Sequence, residues 1–372
     1  PIDMHTHSTC SDGELSPKEL IQMAKSKHIK IFSITDHDNI DSYSHVQQIK
    51  SQGKFPNNMI FIPGVELFTI SRVDQSMQHF LVYFPFLAIA NFPVKLEFHK
   101  KYFMIDEPIC TEYQRSQFEQ FRLYLKEMEQ KRTNRIVQYF KNLNEFFKWG
   151  LTIEDFAKFA HIDLENMVAQ SSLGRPHIAK YLQQNKIVKN IQEAFNTVLR
   201  DDQPPFIQLK VDELETVCER VERFGAKCFL AHPNLEEKNM DVINERIYSA
   251  MRHGATGVEK YHSQTDSSQF KYFKGVVSIG SDYHNEQRGY KFGNPDDNLQ
   301  MKEWEKRLLV KSLFGVIAQK KANKFTKKEE NQTQNLNLFI QNYQSVAPTP
   351  VKIESKESFS LEKLYSLLKK FK

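Results

Sequence analysis

The sequence predicts an α/β protein, a parallel sheet or barrel carrying an inserted helical segment. Three observations lead there. Over the first 85 residues, short apolar strands alternate with amphipathic helices, the rhythm of βα units. From about residue 86 to 205, strand signals thin out and long helical patterns take over. After Pro204-Pro205 the alternation resumes and runs to about residue 319.

Ile2–Thr6 reads as the first strand. Ser16-Pro17-Lys18-Glu19 then opens a helix, with Ser16 as N-cap, Pro17 at the first helical position and Glu19 completing a capping box. Leu20, Met23 and Ala24 give that helix its apolar face. Ile29–Thr35 is the second strand, Ile60–Leu67 the third and His79–Phe84 the fourth. In the insertion, Phe118, Phe121, Leu125 and Met128 continue into Ile136 and Phe140 at helical spacing, with Arg132 and Arg135 read as solvated. Val211–Phe224 is a helix, Lys227–Ala231, Gly257–Tyr261 and Val276–Ser281 are strands, and Trp304–Lys320 is a helix. An Asn/Gln-rich stretch (Asn331–Asn342), two prolines and a short amphipathic helix near Leu361–Leu368 end the chain.

Composition narrows the class. At 372 residues, 40% hydrophobic and 26% charged, the chain has the balance of a globular protein with a full core. It contains no apolar run of about 18 residues, which excludes a spanning helix, and no signal-peptide pattern opens it. The first residue is Pro1, so some residues are expected to have been trimmed. Four dispersed cysteines without a C-x-x-C pair argue against a disulfide framework or zinc ribbon and for a reducing, cytoplasmic location. The net charge of +5 is unevenly placed: residues 320–372 hold eleven Lys and five Glu, so the body is close to neutral and the tail is a basic, solvated segment.

The chemistry lies in the histidines. His5 and His7 stand at i, i+2 on the end of the first strand, where alternate side chains share a face. Asp12 follows in the next loop. The second strand ends in Thr35-Asp36-His37-Asp38, the third ends in Pro63-Gly64-Val65-Glu66, and the fourth begins at His79. Later strands end in Ala231-His232-Pro233 and Ser281-Asp282-Tyr283-His284. Most of these groups lie at C-terminal strand ends, the face on which (β/α) barrels assemble active sites. Six imidazoles and three carboxylates suit two or three ions with mixed N and O ligands, Mn²⁺, Fe²⁺ or Zn²⁺ better than Mg²⁺ alone.

These blocks resemble the PHP (polymerase and histidinol phosphatase) family. Ile2-Asp3-Met4-His5-Thr6-His7-Ser8 with Ser11-Asp12-Gly13 carries the likeness, as do the blocks around His37, Glu66, His232 and Asp282. Gly174-Arg175-Pro176-His177-Ile178-Ala179 is similar to the branch of nucleoside-phosphate phosphatases and trimming exoribonucleases. The resemblance implies a distorted (βα)7 TIM-like barrel with a trinuclear metal centre, Mn²⁺ first among the candidates. It implies that His5, His7, Glu66 and Asp282 hold one ion. Glu66 bridges to a second ion with His79 and His232, and Asp12, His37 and His284 hold a third. After Ala231-His232-Pro233 this chain continues Asn234-Leu235, a departure from the family's usual Gly-Arg near the substrate rim.

The expected activity is hydrolysis of phosphate esters of nucleotides or short RNA 5′ ends, by attack of a metal-bridging hydroxide on phosphorus. Asp36 and Asp38, which flank a ligand histidine, are candidates for orienting it or for proton transfer. Arg175 and His177, with Lys260 and His262, are the substrate-binding candidates, Arg175 because its planar fork matches phosphate. A phosphatase of a non-nucleotide metabolite such as histidinol phosphate is the second reading, and a non-catalytic scaffold the third. No membrane association and no obligate protein partner are expected.

Overall fold

The computed structural model describes residues 1–98, 101–235, 237–286, 292–293, 301–316 and 319–320. Pro1–Gln319 forms one compact unit and Lys320–Lys372 a second. The site lies wholly in the first. The Asn/Gln-rich stretch and the terminal helix expected near Leu361–Leu368 fall outside the described residues.

Two sheets form the body. In the first, β1 (Ile2–Asp3), β2 (Ile31–Phe32) and β3 (Ile60–Phe61) run parallel in that order. The second contains β4 (Gly64–Ile70), β5 (Met77–Tyr83), β10 (Lys227–Leu230), β11 (Gly257–His262) and β12 (Val276–Gly280), in the order β12-β11-β10-β5-β4. The ladders do not join into one continuous sheet. Single parallel bridges connect them, Thr6 to Tyr283 at one junction and His37 to Glu66 at the other. The expected third strand is divided between the two sheets at Pro63, whose missing N–H cannot serve a ladder.

The strand β5 is antiparallel to both β4 and β10, whereas β10, β11 and β12 are mutually parallel. This reversal explains how His79, expected at the start of its strand, joins the others. Near the N-terminal end of a reversed strand, it lies at the same rim as the C-terminal ends of the others.

Helix α1 (Pro17–Ser26) begins as its sequence predicts: Ser16 Oγ accepts the Glu19 N–H, and the Glu19 carboxylate accepts the Ser16 N–H at 2.8 Å. With α2 (Ser42–Ser51) it packs on the first sheet through Leu20, Ile21, Ala24 and Val46. The stretch read as helical opens instead with a hairpin, β6 (Val94–Phe98) and β7 (Lys101–Ile105). Its alternating Val94, Leu96 and Phe98 are buried against the body core, a period-2 signal masked in sequence by the surrounding aromatics.

The 36-residue α3 (Glu112–Phe147) follows, capped by Thr111 and Gln114. Its first half gives Phe118, Phe121 and Leu125 to the body core. Its second half gives Ile136, Tyr139, Phe140 and Leu143 to a separate core shared with α4 (Ile153–Phe159) and α5 (Arg175–Gln184). There Phe140 stacks on Phe156 at 4.3 Å. A two-residue hairpin, β8 (Ile162–Asp163) and β9 (Val168–Ala169), and α6 (Ile191–Asn196) complete that segment. Returning to the body, α7 (Leu214–Glu222) and α8 (Met240–Arg252) flank the second sheet. The last helix, α9 (Glu303–Phe314), stops short of the expected Lys320 because Gly315 takes the left-handed conformation that ends it. Among the described residues no helix is long and apolar enough to cross a membrane.

Candidate metal centre

The nine side chains expected as ligands converge at one rim. Three groups form, each with its ligating atoms within 4.8 Å of one another: His5, His7, Glu66 and Asp282; Glu66, His79 and His232; and His7, Asp12, His37 and His284. Glu66 is the joint between the first two. Its Oε1 lies 2.8 Å from His79 Nδ1 and 3.2 Å from His232 Nε2. Its Oε2 lies 3.4 Å from His5 Nε2 and 3.2 Å from His7 Nε2. Asp282 Oδ1 faces the same two rings at 3.3 and 3.1 Å. Asp12 Oδ1 sits 3.1 Å from His284 Nε2 and 3.7 Å from His37 Nε2.

The backbone bends to achieve this. His232 and Asp282 both take positive φ, 24° and 55°, conformations that cost a non-glycine residue on the order of 1–3 kcal/mol. Gly13 lets the Asp12 loop close on its own strand, since a Cβ there would lie 2.2 Å from the His7 carbonyl oxygen.

The donor set fits divalent cations. His5 Nε2 and His7 Nε2 point at one another across 3.2 Å. Glu66 Oε2 and His37 Nδ1, 2.9 Å apart and both buried, make no hydrogen bond of acceptable geometry. Imidazole nitrogens and carboxylate oxygens converging on shared points, with the Glu66 Oε2 and His37 Nδ1 atoms unsatisfied, fit a candidate coordination shell. The electrostatics agree. Burial alone would raise the Glu66 carboxyl, but His79, His5 and His37 hold it well below the usual carboxylate range. Burial opposes ionisation of Asp12 and Asp282 too, and neighbouring histidines keep both well down. Burial would strip the proton from His7, yet Asp282 and Glu66 lift it to about 10, whereas burial and the His7 charge press His37 down to about 3. Protons drawn to particular rings mark negative potential that cations would balance.

The flanking carboxylates both make positioning contacts, the first of the two roles expected for them. Asp36 accepts hydrogen bonds at 2.7 Å from Ser8 N, Ser8 Oγ and Ser11 Oγ, so it pins the loop between His7 and Asp12. Asp38 accepts the Phe68 N–H and pairs with Arg132, a residue read as solvated that is 3% exposed. Arg132 also donates to the Leu173 carbonyl and lies 4.3 Å over the Phe68 ring. These contacts hold the loops that bear His7, Asp12 and His37.

Of the four substrate candidates, three make contacts away from the cavity wall. Lys260 is buried and turned outward to Glu305 of α9 at 2.9 Å. His262 is buried beside Asp282, with Nε2 3.3 Å from Oδ2. His177 accepts the Gly174 N–H on Nδ1, which fixes the start of α5. Arg175 does face the large cavity above the ligands and pairs with Asp201.

Sequence reading missed Glu259, a fully buried acid whose Oε1 lies 3.0 Å from His5 Nδ1. An acid in the apolar run Gly257-Val258-Glu259 was its available signal. Gly280 on the adjacent strand makes room for this contact: a Cβ there would stand 2.1 Å from His5 Cβ and 2.5 Å from Glu259 Oε1. Gly280→Ala is therefore expected to cost about 1–3 kcal/mol by overpacking and to weaken metal binding together with stability. Urea unfolding and metal analysis of the variant check both.

The fold and the cage together define a metal-dependent phosphoesterase. The chain belongs to the PHP domain family, whose pattern matches residues 3–201. It is 24% identical over 289 residues to a 5′-3′ exoribonuclease of Haemophilus influenzae, covering 76% of this chain and 89% of that one. It is 23% identical over 290 residues to a 3′,5′-nucleoside bisphosphate phosphatase of Chromobacterium violaceum, covering 76% and 87%. A solved structure from Bifidobacterium adolescentis, assigned as a metal-dependent phosphoesterase, shares the fold with a TM-score of 0.60 at 17% identity, covering 82% of this chain and 94% of that one.

Proposed function

We propose that this phosphoesterase acts on nucleotides that carry a second phosphate, or on the 5′ ends of short RNA, with three divalent ions, Mn²⁺ foremost. One observation carries the substrate class. The ligand cage forms the floor of a cavity of about 1160 Å³, whose wall from the inserted segment presents Arg135 and Arg175 among Phe195 and Phe206. Both guanidinium groups lie 5.7 Å from the Phe206 ring, and Arg175 lies 5.6 Å from Phe195. Burial and the nearby Arg175 and Arg132 lower Arg135 to about 10, so an anion between these cations relieves both costs. Aromatic rings beside paired guanidiniums suit a base next to a phosphate, and they favour a nucleotide over a compact metabolite such as histidinol phosphate. The complete ligand set argues against a scaffold.

His5, His7, Glu66 and Asp282 would hold one ion, Glu66, His79 and His232 a second, and Asp12, His37 and His284 a third. Bound divalent ions supply neutralisation of the phosphoryl oxygens and a lowered pKa for water. The protein orients the ligands, keeps Glu66, Asp12 and Asp282 ionised, and anchors the distal phosphate at Arg175. The bridges at Thr6–Tyr283 and His37–Glu66 support reading the two sheets as one distorted (βα)7 barrel. The separate core running from Ile136 to Leu199 supports an inserted helical domain within 86–205.

With Mn²⁺ loaded, phosphate release is expected from nucleoside 3′,5′-bisphosphates and monophosphates, or nucleotide release from 5′-phosphorylated RNA, and EDTA abolishes it. Turnover of histidinol phosphate alone across the same panel would overturn the substrate class. Arg175→Ala is expected to raise KM for the bisphosphate roughly tenfold to a hundredfold, the 1.5–3 kcal/mol of a charged hydrogen bond, with a smaller effect on a monophosphate.

A further inference from the structure

The strand β11 departs from regular pairing at one point. Its register against β12 shifts between Glu259 and Tyr261, leaving Lys260 as an extra residue. Such a bulge re-aims the side chains beyond it. Lys260 and Tyr261 accordingly both reach Glu305 of α9, at 2.9 and 2.7 Å, while Glu259 and His262, three positions apart, both face the ligand cage.

We propose that β11 is the positioning strand of the metal centre, with Glu259 fixing His5 and His232 and His262 fixing Asp282. The proposal rests on the reading of the cage as a metal centre. Glu259 uses both oxygens. Oε1 accepts the N–H of His5 Nδ1 at 3.0 Å, and Oε2 accepts the backbone N–H of His232 at 3.0 Å. With its proton on Nδ1, His5 presents a bare Nε2 to the point shared with His7, Glu66 and Asp282. The same carboxylate steadies the positive-φ turn that aims His232 at Glu66 Oε1.

His262 works in the opposite sense. Its Nδ1 accepts the Gln264 N–H at 3.2 Å, so the proton of the neutral ring is on Nε2, 3.3 Å from Asp282 Oδ2. That N–H holds one carboxylate oxygen and leaves Oδ1 for the ion. His262, His232 and Asp282 have metal-like spacing, but a protonated Nε2 makes His262 a donor to a ligand rather than a ligand.

The test uses the full chain, stripped with a chelator and titrated with Mn²⁺ alone, with free Mn²⁺ followed by electron paramagnetic resonance. Glu259→Gln keeps the shape, but an amide has one acceptor oxygen where two N–H groups need one each. Mn²⁺ affinity is expected to fall roughly tenfold to a hundredfold. Tyr261→Phe, on the outward side of the bulge, is expected to lower the melting temperature and leave affinity unchanged. His262→Gln keeps a donor near the position of Nε2 and is expected to bind close to the parent, whereas His262→Leu weakens binding tenfold or more. Parent-like affinity in Glu259→Gln or in His262→Leu would overturn the assignment. Equal loss in His262→Gln and His262→Leu would make His262 a ligand and overturn its half. Should Glu259→Gln fail to fold, the His262 pair still decides. No substrate enters the measurement, so it stands or falls separately from the nucleotide reading.

Discussion

Glu66→Gln is expected to abolish useful hydrolysis, lowering kcat/KM on the order of a thousandfold, or about 4 kcal/mol of transition-state stabilisation. The substitution preserves the volume of a side chain that is 1% exposed, so packing is spared and the effect isolates charge and ligation. Glu66 faces five imidazoles with its two oxygens, His79 and His232 on Oε1 and His5, His7 and His37 on Oε2. An amide offers one oxygen and turns N–H donors toward the other set. Metal analysis should therefore show fewer bound ions, with the remaining activity unrescued by excess Mn²⁺. A variant with full metal content and parent-like kcat/KM would contradict the bridging role.

Arg132→Met is the second large effect. It leaves the fully buried Asp38 carboxylate facing an apolar thioether. Removing one partner of a buried ion pair typically costs 3–5 kcal/mol because the survivor stays charged and dry. The double variant Asp38→Asn/Arg132→Met should recover much of that loss, since Asn can still accept the Phe68 N–H. Urea unfolding of the two single variants and the double variant measures the coupling. A single variant as stable as the parent would show that the pair contributes nothing.

The cluster of imidazoles and carboxylates was legible because its chemistry survives uncertainty in secondary structure. A histidine at a strand end announces itself even when the strand is two residues long, as at Ile2–Asp3. The family resemblance gathered nine side chains that the structure also brings close together, with His7 joining the third group and His232, His262 and Asp282 forming a further one. Strand direction was less accessible. Nothing local to Met77–Tyr83 says that it runs backwards, because direction is decided by the tight connection from Ile70 and by both neighbours. The partners of the ligands were also hidden. Arg132 meets Asp38 across 94 positions, and no helical periodicity reveals a contact at that separation. Glu259 escaped notice because a bulge sets which way its strand faces, and bulges leave little trace in a single sequence.

The uninterrupted α3 has a mechanical consequence. At 36 residues it is a rod of about 54 Å, seated at one end among the body strands and at the other among α4 and α5. Neither end can tilt without applying torque to the other. Arg132 projects from the middle of that lever and grips the turn beside His37. A displacement of this helix would therefore be expected to pull on the turn that carries His37, coupling the cavity wall to the cluster beneath it.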